Sequence, residues 1–278
     1  MRWAVAGTLA GCAVVALAAA PAAWLAEAVG DATGQRLVLA DARGTVWQGS
    51  AVLVLTAGAG SRTASALPGR LRWTLGLDGT ALGLRAQQDC CINGEIRLRV
   101  WPGLGRTRIE LLAAAPGAPP GAGVGAGAGA GAALGQWPAA WLVGLGTPWN
   151  TLQPSGSLQL SSPGLAIEQR QGRWQFSGRA DLEVGSLASR LSALDVLGSY
   201  RLSLSGDAAR GEMPQLQLRT SSGALQLSGH GQWTLDGSTA QLHFSGSAAA
   251  APGSEEALGG LLNIIGRRQG ALSVISIG

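Results

Sequence analysis

The chain has 278 residues, of which 44 are Gly and only 13% are charged, and its basic residues are all Arg. This Gly content disfavours long helices, and the length suffices for one large domain or two smaller ones. The formal net charge of +4 is spread along the sequence, whereas nucleic-acid-binding proteins gather positive charge on one face. We therefore expect no nucleic-acid partner.

The N-terminus carries an uncharged apolar run from Trp3 to Leu25, which is long enough to span a bilayer. Arg2 precedes this run, and Glu27 and Asp31 follow it. The positive-inside rule then places the rest of the chain outside the cytoplasm. We interpret residues 1–25 as a retained inner-membrane anchor that leaves the bulk of the chain in the periplasm.

Two alternative interpretations of the N-terminus stay open. Residues 18–24, AAAPAAW, have the small-residue spacing of a signal-peptidase cleavage site. The residues LAGC, which end at Cys12, match the short motif that precedes a lipid-modified cysteine. Either alternative also places the body of the chain in the periplasm or beyond.

Beyond the anchor, alternation of apolar and polar residues predicts β-strands. The apolar positions of two such segments are Leu71, Trp73, Leu75 and Leu77 in residues 70–77, and Ile96, Leu98 and Val100 in residues 95–101. Asn93-Gly94 precedes the second segment and is a strong hairpin signal. Similar segments, separated by Gly, Ser and Asp, return through residues 157–245. This pattern predicts an antiparallel meander with one wet face.

Four Trp residues, at positions 47, 73, 174 and 233, fall on apolar faces of the predicted strands. Their Gly neighbours mark turns, bulges or sharp twists. In the segment RGTVWQGS, we interpret Trp47 as a core residue that enters the first strand, with Gly44 and Gly49 turning the backbone. A ligand-stacking role for Trp47 is the alternative.

Cys90 and Cys91 are adjacent, and the other cysteine of the chain, Cys12, lies in the predicted anchor. The two neighbours are read either as small residues in a hairpin turn or as partners in a vicinal or intermolecular disulfide. The second reading suits an oxidising compartment. A metal site is disfavoured because no His and no further Cys lies near them.

An internal repeat divides the chain. PAAWL occurs at residues 21–25 and again at 138–142, each time followed by predicted strands. The predicted apolar helix positions are Trp24, Leu25, Ala28 and Val29 in the first copy and Trp137, Trp141 and Leu145 in the second. Gly34 caps the first helix; Pro138 begins the second and Pro148 ends it.

The pattern predicts a mainly β protein: an N-terminal transmembrane helix, then a curved antiparallel β-meander in two halves, each led by a short helix. The N-terminal half covers residues 26–112 and the C-terminal half residues 137–278. The Gly-, Ala- and Pro-rich residues 113–136 form the predicted linker between them.

The C-terminal residues 254–278 predict a helix and then a last strand over Leu272–Ile277. Ser254 is the candidate N-cap, and Gly270 breaks the chain before the strand. Charges that suit the helix dipole are Glu255 and Glu256 at its start and Arg267 and Arg268 at its end. The apolar stripe of the helix, expected in the core, with a partner groove as the alternative, is Leu258, Leu261, Leu262 and Ile265.

The sequence offers no catalytic chemistry. His230 and His243, the only two His, lie in alternating strands without metal-ligand spacing. Without Lys there is neither a phosphate-loop lysine nor a Schiff base. We therefore expect no enzyme and assign no catalytic, cofactor-binding or metal-binding residue and no cofactor.

Four segments together resemble a known family: PAAWL at residues 21–25, ARGTVWQGSA at 42–51, WLVGLGTPWNTLQPSGSLQL at 141–160 and LLNIIGRRQGALSV at 261–274. In this order they resemble type II secretion system protein N, also called general secretion pathway protein N. The resemblance implies a single-pass inner-membrane protein with a periplasmic β-rich domain. It would be an accessory part of the machine that exports folded proteins across the outer membrane.

Two functions are compatible with the resemblance. In the first, the protein contacts other secretion components, with the inner-membrane assembly platform and the secretin as candidate partners. In the second, it binds or shuttles lipid, because the chain is also similar to a wider group of periplasmic proteins whose long curved sheets hold lipid. The second function requires a concave sheet with an apolar open side.

Overall fold

The computed structural model of the protein describes residues 15–103, 105–113, 131–170, 173–236 and 239–277. Within these residues the chain forms one 16-stranded antiparallel sheet. The prediction of a mainly β, antiparallel protein is confirmed. The helices are short and pack against this sheet.

The first strands are β1 (Leu37–Gly44), β2 (Gln48–Thr56), β3 (Ala64–Ala66), β4 (Leu71–Asp78), β5 (Ala81–Gln87), β6 (Ile96–Gly103), β7 (Arg106–Ala113) and β8 (Ala132–Pro138). The others are β9 (Pro154–Arg170), β10 (Arg173–Ser189), β11 (Gly198–Asp207), β12 (Gln215–Gly223), β13 (Leu225–Asp236), β14 (Thr239–Ala250), β15 (Arg267–Gln269) and β16 (Leu272–Ile277). The α-helices are α1 (Ala22–Ala32), α2 (Trp149–Leu152) and α3 (Glu255–Ile265), with 3-10 helices over Ala139–Leu145 and Ala208–Arg210.

The sheet is a meander that runs through both predicted halves of the chain. The strand order is β1-β2-β4-β5-β6-β7-β9-β10-β11-β12-β13-β14-β16-β15, with β3 paired to β2 and β8 paired to β9. Antiparallel neighbours in sequence can be joined by short turns. The pairing of β7 with β9 makes the N-terminal strands continuous with the C-terminal ones.

The 17-residue strand β9 is the seam between the two halves. Its C-terminal part pairs with β7, and its N-terminal part pairs with β8 along the same edge. Strand β8 begins at Ala132, and β7 extends to Ala113. The predicted linker over 113–136 is therefore wrong at both ends, because pairing to β9 and burial of Leu134 recruit its last residues into the sheet. Residues 114–130 of that linker lie outside the described residues.

Two buried clusters stabilise the ends of the sheet. The first consists of Ala22, Leu39, Ala51, Leu53, Leu67, Trp73 and Cys91. The second consists of Leu197, Tyr200, Leu225, Ala248, Leu258, Leu261 and Leu262. Helix α3 closes the second cluster, so the predicted core stripe of this helix is confirmed, with Ile265 packed at its margin. Strand β16 also has the predicted bounds.

Other details of the C-terminus differ from the prediction. Ser254 lies at the N-cap position, but its side chain makes no capping hydrogen bond. Arg267 and Arg268 lie in β15 rather than in the last turn of α3, which ends at Ile265. The pairing of β15 with β16 replaces the expected last helical turn, because it satisfies the same backbone groups.

The two PAAWL segments form different structures. Helix α1 is confirmed, with Leu25 and Val29 packed on the first cluster, but Trp24 is 55% exposed, contrary to the predicted apolar side. In the second segment Trp137 belongs to β8, and residues 139–145 form a 3-10 helix rather than an α-helix. Pro148 precedes α2 instead of ending a helix.

The second PAAWL segment closes the first cluster, not the C-terminal half that it was predicted to lead. Trp141 packs on the first cluster, and its Nε1 donates a hydrogen bond of 3.0 Å to the carbonyl of Ser65. Gly144 lies against the backbone of Leu55 so closely that a Cβ there would clash with that carbonyl oxygen. The C-terminal half is closed by α3 instead.

None of the helices in the described residues is long and apolar enough to cross a membrane. Of the predicted anchor over residues 1–25, residues 1–14 lie outside the described part of the chain.

The RGTVWQGS segment builds the bend between β1 and β2, and the prediction that Trp47 is a core residue is wrong. Trp47 is half-buried, and its Nε1 donates a 2.8 Å hydrogen bond to the carbonyl of Leu17. The core residue is Trp73, which is 3% exposed and donates from Nε1 to the carbonyl of Val46 at 3.0 Å. A Cβ on Gly49 would lie 2.5 Å from Cζ2 of Trp73, so Gly49 makes room for this ring.

The same arrangement of an aromatic ring over a glycine recurs across the sheet. A Cβ on Gly206 would lie 2.9 Å from Cδ1 of Phe176. A Cβ on Gly229 would clash with Cζ of Phe244, and a Cβ on Gly231 would lie 3.1 Å from Cδ2 of the same ring and 2.9 Å from the carbonyl oxygen of His243. Phe176 and Phe244 are each 7% exposed. The glycines around the aromatic residues therefore build the sheet, because each one lets a ring lie flat on the neighbouring strand.

Two other positions that were predicted to face the core are not buried. Leu77 is 83% exposed at the end of β4, and Trp233 is 36% exposed on β13. Both lie beyond the area that the helices cover, so alternation alone placed them on the correct face without burying them. The burial of the Trp174 side chain lies outside the described features.

Replacement of each Trp by Ala should distinguish the core ring, Trp73, from the ring at the bend, Trp47. We expect Trp73→Ala to lower the free energy of unfolding by about 3–5 kcal/mol, because it leaves a large cavity beside Gly49. Trp47→Ala should cost about 1–2 kcal/mol, because it removes one hydrogen bond and a half-buried ring. Urea-induced unfolding of the full chain measures both, and equal losses for the two variants would contradict this assignment.

Candidate functional surface

The alternating apolar residues of successive strands all fall on one side of the sheet, here called the apolar face. Residues directly opposite each other in an antiparallel pair share a face. Leu84 of β5 lies opposite Leu98 of β6, which lies opposite Leu111 of β7, and Leu111 lies opposite Leu165 of β9. The apolar face continues through β10 to β11 and β12, where Leu204 lies opposite Leu216.

Between the two buried clusters, the apolar face carries a set of aliphatic side chains that we call the central apolar surface. Its members are Leu82, Leu98, Val100, Ile109, Leu111, Leu165, Ile167, Leu202, Leu204 and Leu216. All ten are only half-buried. The described helices pack into the clusters at the two ends. Apolar surface left in water costs about 25 cal/mol per Å², and large apolar patches that remain in contact with water are candidate interaction sites.

The opposite side, the polar face, carries ion pairs. Arg72 pairs with Asp89 at 2.5 Å, Arg99 with Asp78 at 2.7 Å and Arg179 with Asp181 at 2.8 Å. The Arg partners are about half exposed, and ion pairs of this kind contribute about 0–1 kcal/mol each. These ion pairs keep the polar face well solvated. The apolar face is therefore the side whose side chains must be covered by other residues or by a partner.

An open depression of about 540 Å³ lies on the polar face, above Gly76 and Gly83, and is lined by Thr74, Arg85, Arg97 and Arg99 among others. Gly76 and Gly83 lie directly opposite each other on neighbouring strands. The depression therefore results from two missing side chains, and the charges around it are of both signs, since Asp78 and Glu95 also line it.

One ion-pair cluster lies at the seam between the two halves of the chain. Arg106 of β7 lies directly opposite Arg170 of β9, and Glu168 contacts both, with 2.6 Å between its Oε1 and Nε of Arg106. Like charges directly opposite each other destabilise a sheet, so Glu168 offsets their repulsion. The hydrogen bond from Arg170, together with that from Arg106, lowers the pKa of Glu168 below its usual value although burial opposes this.

Asp181 shows the same balance on β10. Partial burial would raise the pKa of Asp181, but hydrogen bonds from Arg179 and Ser203 outweigh it and lower the pKa. In the second cluster, burial raises the pKa of Tyr200, whose hydroxyl donates a 3.0 Å hydrogen bond to the carbonyl of Leu225. Both groups keep one charge state at neutral pH and act as structural residues.

The candidate chemical residues of the sequence do not assemble into a reaction centre. His230 and His243 are exposed diagonal neighbours on β13 and β14. In the described part of the chain, no group of three His, Cys, Asp or Glu side chains is placed to hold a metal ion. Cys90 and Cys91 form a disulfide with each other in the loop between β5 and β6.

These features define a protein made of one large open sheet, with an apolar face that helices cover at its ends and a polar face rich in ion pairs. The family model for type II secretion system (T2SS) protein N matches residues 35–274, and the chain belongs to this family. The match runs from just before β1 into β16, so it covers both faces described above. Comparison with curated proteins and with solved structures gives no match.

Membership of the family confirms the resemblance seen in the four sequence segments. The family is a component of the type II secretion machinery, which transports proteins across the cell envelope. The central apolar surface was not predicted, because alternation identifies an apolar face but does not reveal which part of that face a helix covers.

The ion-pair cluster of Arg106, Glu168 and Arg170 at the seam should make the stability of the fold sensitive to acid. A lowered pKa for Glu168 in the folded state means that its ion pairs stabilise the fold above the ordinary pKa of 4.5 and lose this contribution as the pH falls. We expect Glu168→Gln to lower the melting temperature at neutral pH. When the pH falls from about 6 to about 3, the melting temperature of this variant should drop less than that of the unmodified chain.

Melting curves recorded by circular dichroism across this pH range provide the measurement. Glu212→Gln removes an exposed carboxylate away from the seam and serves as the matched control. A Glu168→Gln chain with the full acid sensitivity of the unmodified protein would show that the seam pairs do not contribute.

Proposed function

We propose that this protein is an accessory inner-membrane component of the type II secretion system and supports export of folded proteins across the outer membrane. In this proposal residues 1–25 anchor the chain, and the sheet, which runs through both halves of the chain, lies in the periplasm. The apolar run of the N-terminus and the family membership support the proposal. The protein acts through contacts with other secretion components.

The observation that carries this proposal is the central apolar surface. Its ten aliphatic side chains lie on six strands of the sheet and are half-buried, while the ion pairs lie on the opposite face. A partner that covers these side chains removes apolar area from water, which is the main driving force of association. We therefore assign the contact with the secretion platform to this surface.

A lipid-binding or lipid-shuttling module is the second candidate, and the chemistry of the same surface favours it. All ten members are Leu, Ile or Val, which make no hydrogen bonds and so suit acyl chains. Register shifts between β9 and β10 and between β10 and β11 mark β-bulges. Bulges bend and twist strands, so they favour the concave curvature that a lipid groove requires.

Photo-crosslinking in cells tests the assignment. A photo-reactive phenylalanine analogue at position Leu98 or Leu204 places the probe on the central apolar surface. We expect adducts with inner-membrane secretion proteins, identified by mass spectrometry of both proteins and lipids. The yield should exceed that of the controls about tenfold, since an interface excludes other contacts from its core.

The matched controls carry the same analogue at Arg99 of β6 and Ser205 of β11, which project from the polar face of the same strands. Adducts dominated by phospholipid from Leu98 and Leu204 alone would favour the lipid-binding function. Equal adducts from both faces would contradict any role for the central apolar surface.

A further inference from the structure

The loop between β5 and β6 contains a disulfide between sequence neighbours. Cys90 and Cys91 are joined, with their Cα atoms 3.7 Å apart. Of the readings that the sequence left open, the structure thus takes the vicinal disulfide. Asn93-Gly94 lies in the same loop, and Gly94 adopts a φ of 76°, so the predicted hairpin is confirmed, with a longer loop than two residues.

A disulfide between neighbours does not act as an ordinary structural cross-link. A disulfide stabilises a fold chiefly by closing a chain loop in the unfolded state, and this effect grows with the number of residues enclosed. Here the sequence separation is 1, so the bond encloses no further residues. The constraint that it imposes is local and acts on the backbone of this loop.

This backbone holds the seam between the two halves of the chain. The amide of Gln136 in β8 donates a 2.8 Å hydrogen bond to the carbonyl of Cys91, and the amide of Asn93 donates one of 2.9 Å to the carbonyl of Leu134. Ile92 and Gly135 form an antiparallel bridge. The loop thus acts as a short partner for the edge of β8 that faces away from β9.

The residues around the bridge between Ile92 and Gly135 are tightly packed. A Cβ on Gly135 would clash with the carbonyl oxygen of Cys91 and would lie 2.7 Å from Cη2 of Trp137. Cys91 is 5% exposed and belongs to the first buried cluster. A change in the backbone at Cys91 must therefore alter its contact with β8.

The two cysteine residues differ in exposure. Cys90 is exposed, whereas Cys91 is buried. Thiol–disulfide exchange requires access of an incoming thiolate to one sulfur and departure of the other. The arrangement directs the attack to Sγ of Cys90 and makes Cys91 the leaving thiolate.

One buried polar atom lies in the same loop. Oε1 of Gln88 has no hydrogen-bond partner among the described residues, although this side chain is 1% exposed. A buried polar atom without a hydrogen bond costs free energy, so it lowers the stability of this loop conformation. The amides of Cys91 and Ile92 both reach back to the carbonyl of Gln88, at 3.4 Å and 3.2 Å.

We propose that the Cys90–Cys91 disulfide is a thiol–disulfide exchange site for a protein dithiol, and that its reduction releases the loop from β8 and loosens the seam. A thiolate of the dithiol attacks Sγ of Cys90, the Sγ–Sγ bond breaks, and the Cys91 thiolate leaves and takes a proton. The second thiol of the partner then attacks the mixed disulfide and frees Cys90. The cysteine pair gains two electrons and two protons, and the partner dithiol is oxidised to a disulfide. Only the identity of the reductant in the cell rests on the proposed periplasmic location.

Thiol trapping and hydrogen exchange on the purified full chain test the proposal, with Cys12→Ser removing the third thiol. Without reductant, a maleimide should modify no thiol of the denatured protein; after incubation with reduced thioredoxin it should modify both. Reduction should speed hydrogen exchange at the amides of Gln136 and Asn93 by about tenfold, because the hydrogen bonds that these amides make between the loop and β8 are released. The amide of Leu75, bonded to the carbonyl of Trp47 at 2.7 Å, should not change.

The double variant Cys90→Ser with Cys91→Ser is the matched control and should exchange fast at Gln136 with or without thioredoxin. Two free thiols before reduction would overturn the proposal, as would reduction that leaves exchange at Gln136 and Asn93 unchanged. No secretion partner takes part in this experiment, so its outcome is independent of whether the proposed function holds.

Discussion

The need to cover one apolar face of a very wide sheet is the constraint on which the rest of this structure depends. Sixteen antiparallel strands present a polar side with ion pairs and an apolar side that water does not solvate well. The described helices close the two buried clusters at the ends. The middle of the face, the central apolar surface, stays half-buried, and it is the part of the sheet that the proposed contact with a secretion component would cover.

Aromatic rings laid over glycines solve a second problem of the same sheet. A glycine in a strand leaves a hole on the surface and weakens the strand. Trp73 fills the space at Gly49, Phe176 that at Gly206, and Phe244 that at Gly229 and Gly231. With few aromatic residues in the chain, the ring of Phe244 covers more than one backbone position. The segment RGTVWQGS thus combines a bend residue, Trp47, with the glycine that receives the ring of another strand.

Much of this fold could be predicted from local sequence pattern, and the failures have physical causes. Period-two alternation identified the strands, and the spacing of Leu258, Leu261 and Leu262 identified the buried side of α3. Trp47 and Trp73 could not be ranked, because both were placed on apolar strand faces and the choice depends on the Gly49 opposite Trp73. Strand β8 has the composition of a linker and becomes a strand only through tertiary pairing with β9. The central apolar surface is likewise a property of where helices pack, which no single segment encodes.

The shared edge of β9 has a consequence for how this protein tolerates change. Strand β7 leaves β9 at the pair Leu111–Leu165, and β8 joins it at the pair Ala132–Ser162. The two attachment points are thus three residues apart on one strand, roughly 10 Å at the usual rise of a β-strand. The entropic cost of closing a loop grows only slowly with its length, so a change in the number of residues between these two points costs little closure entropy. The same position is therefore a suitable place to insert a fluorescent or affinity module.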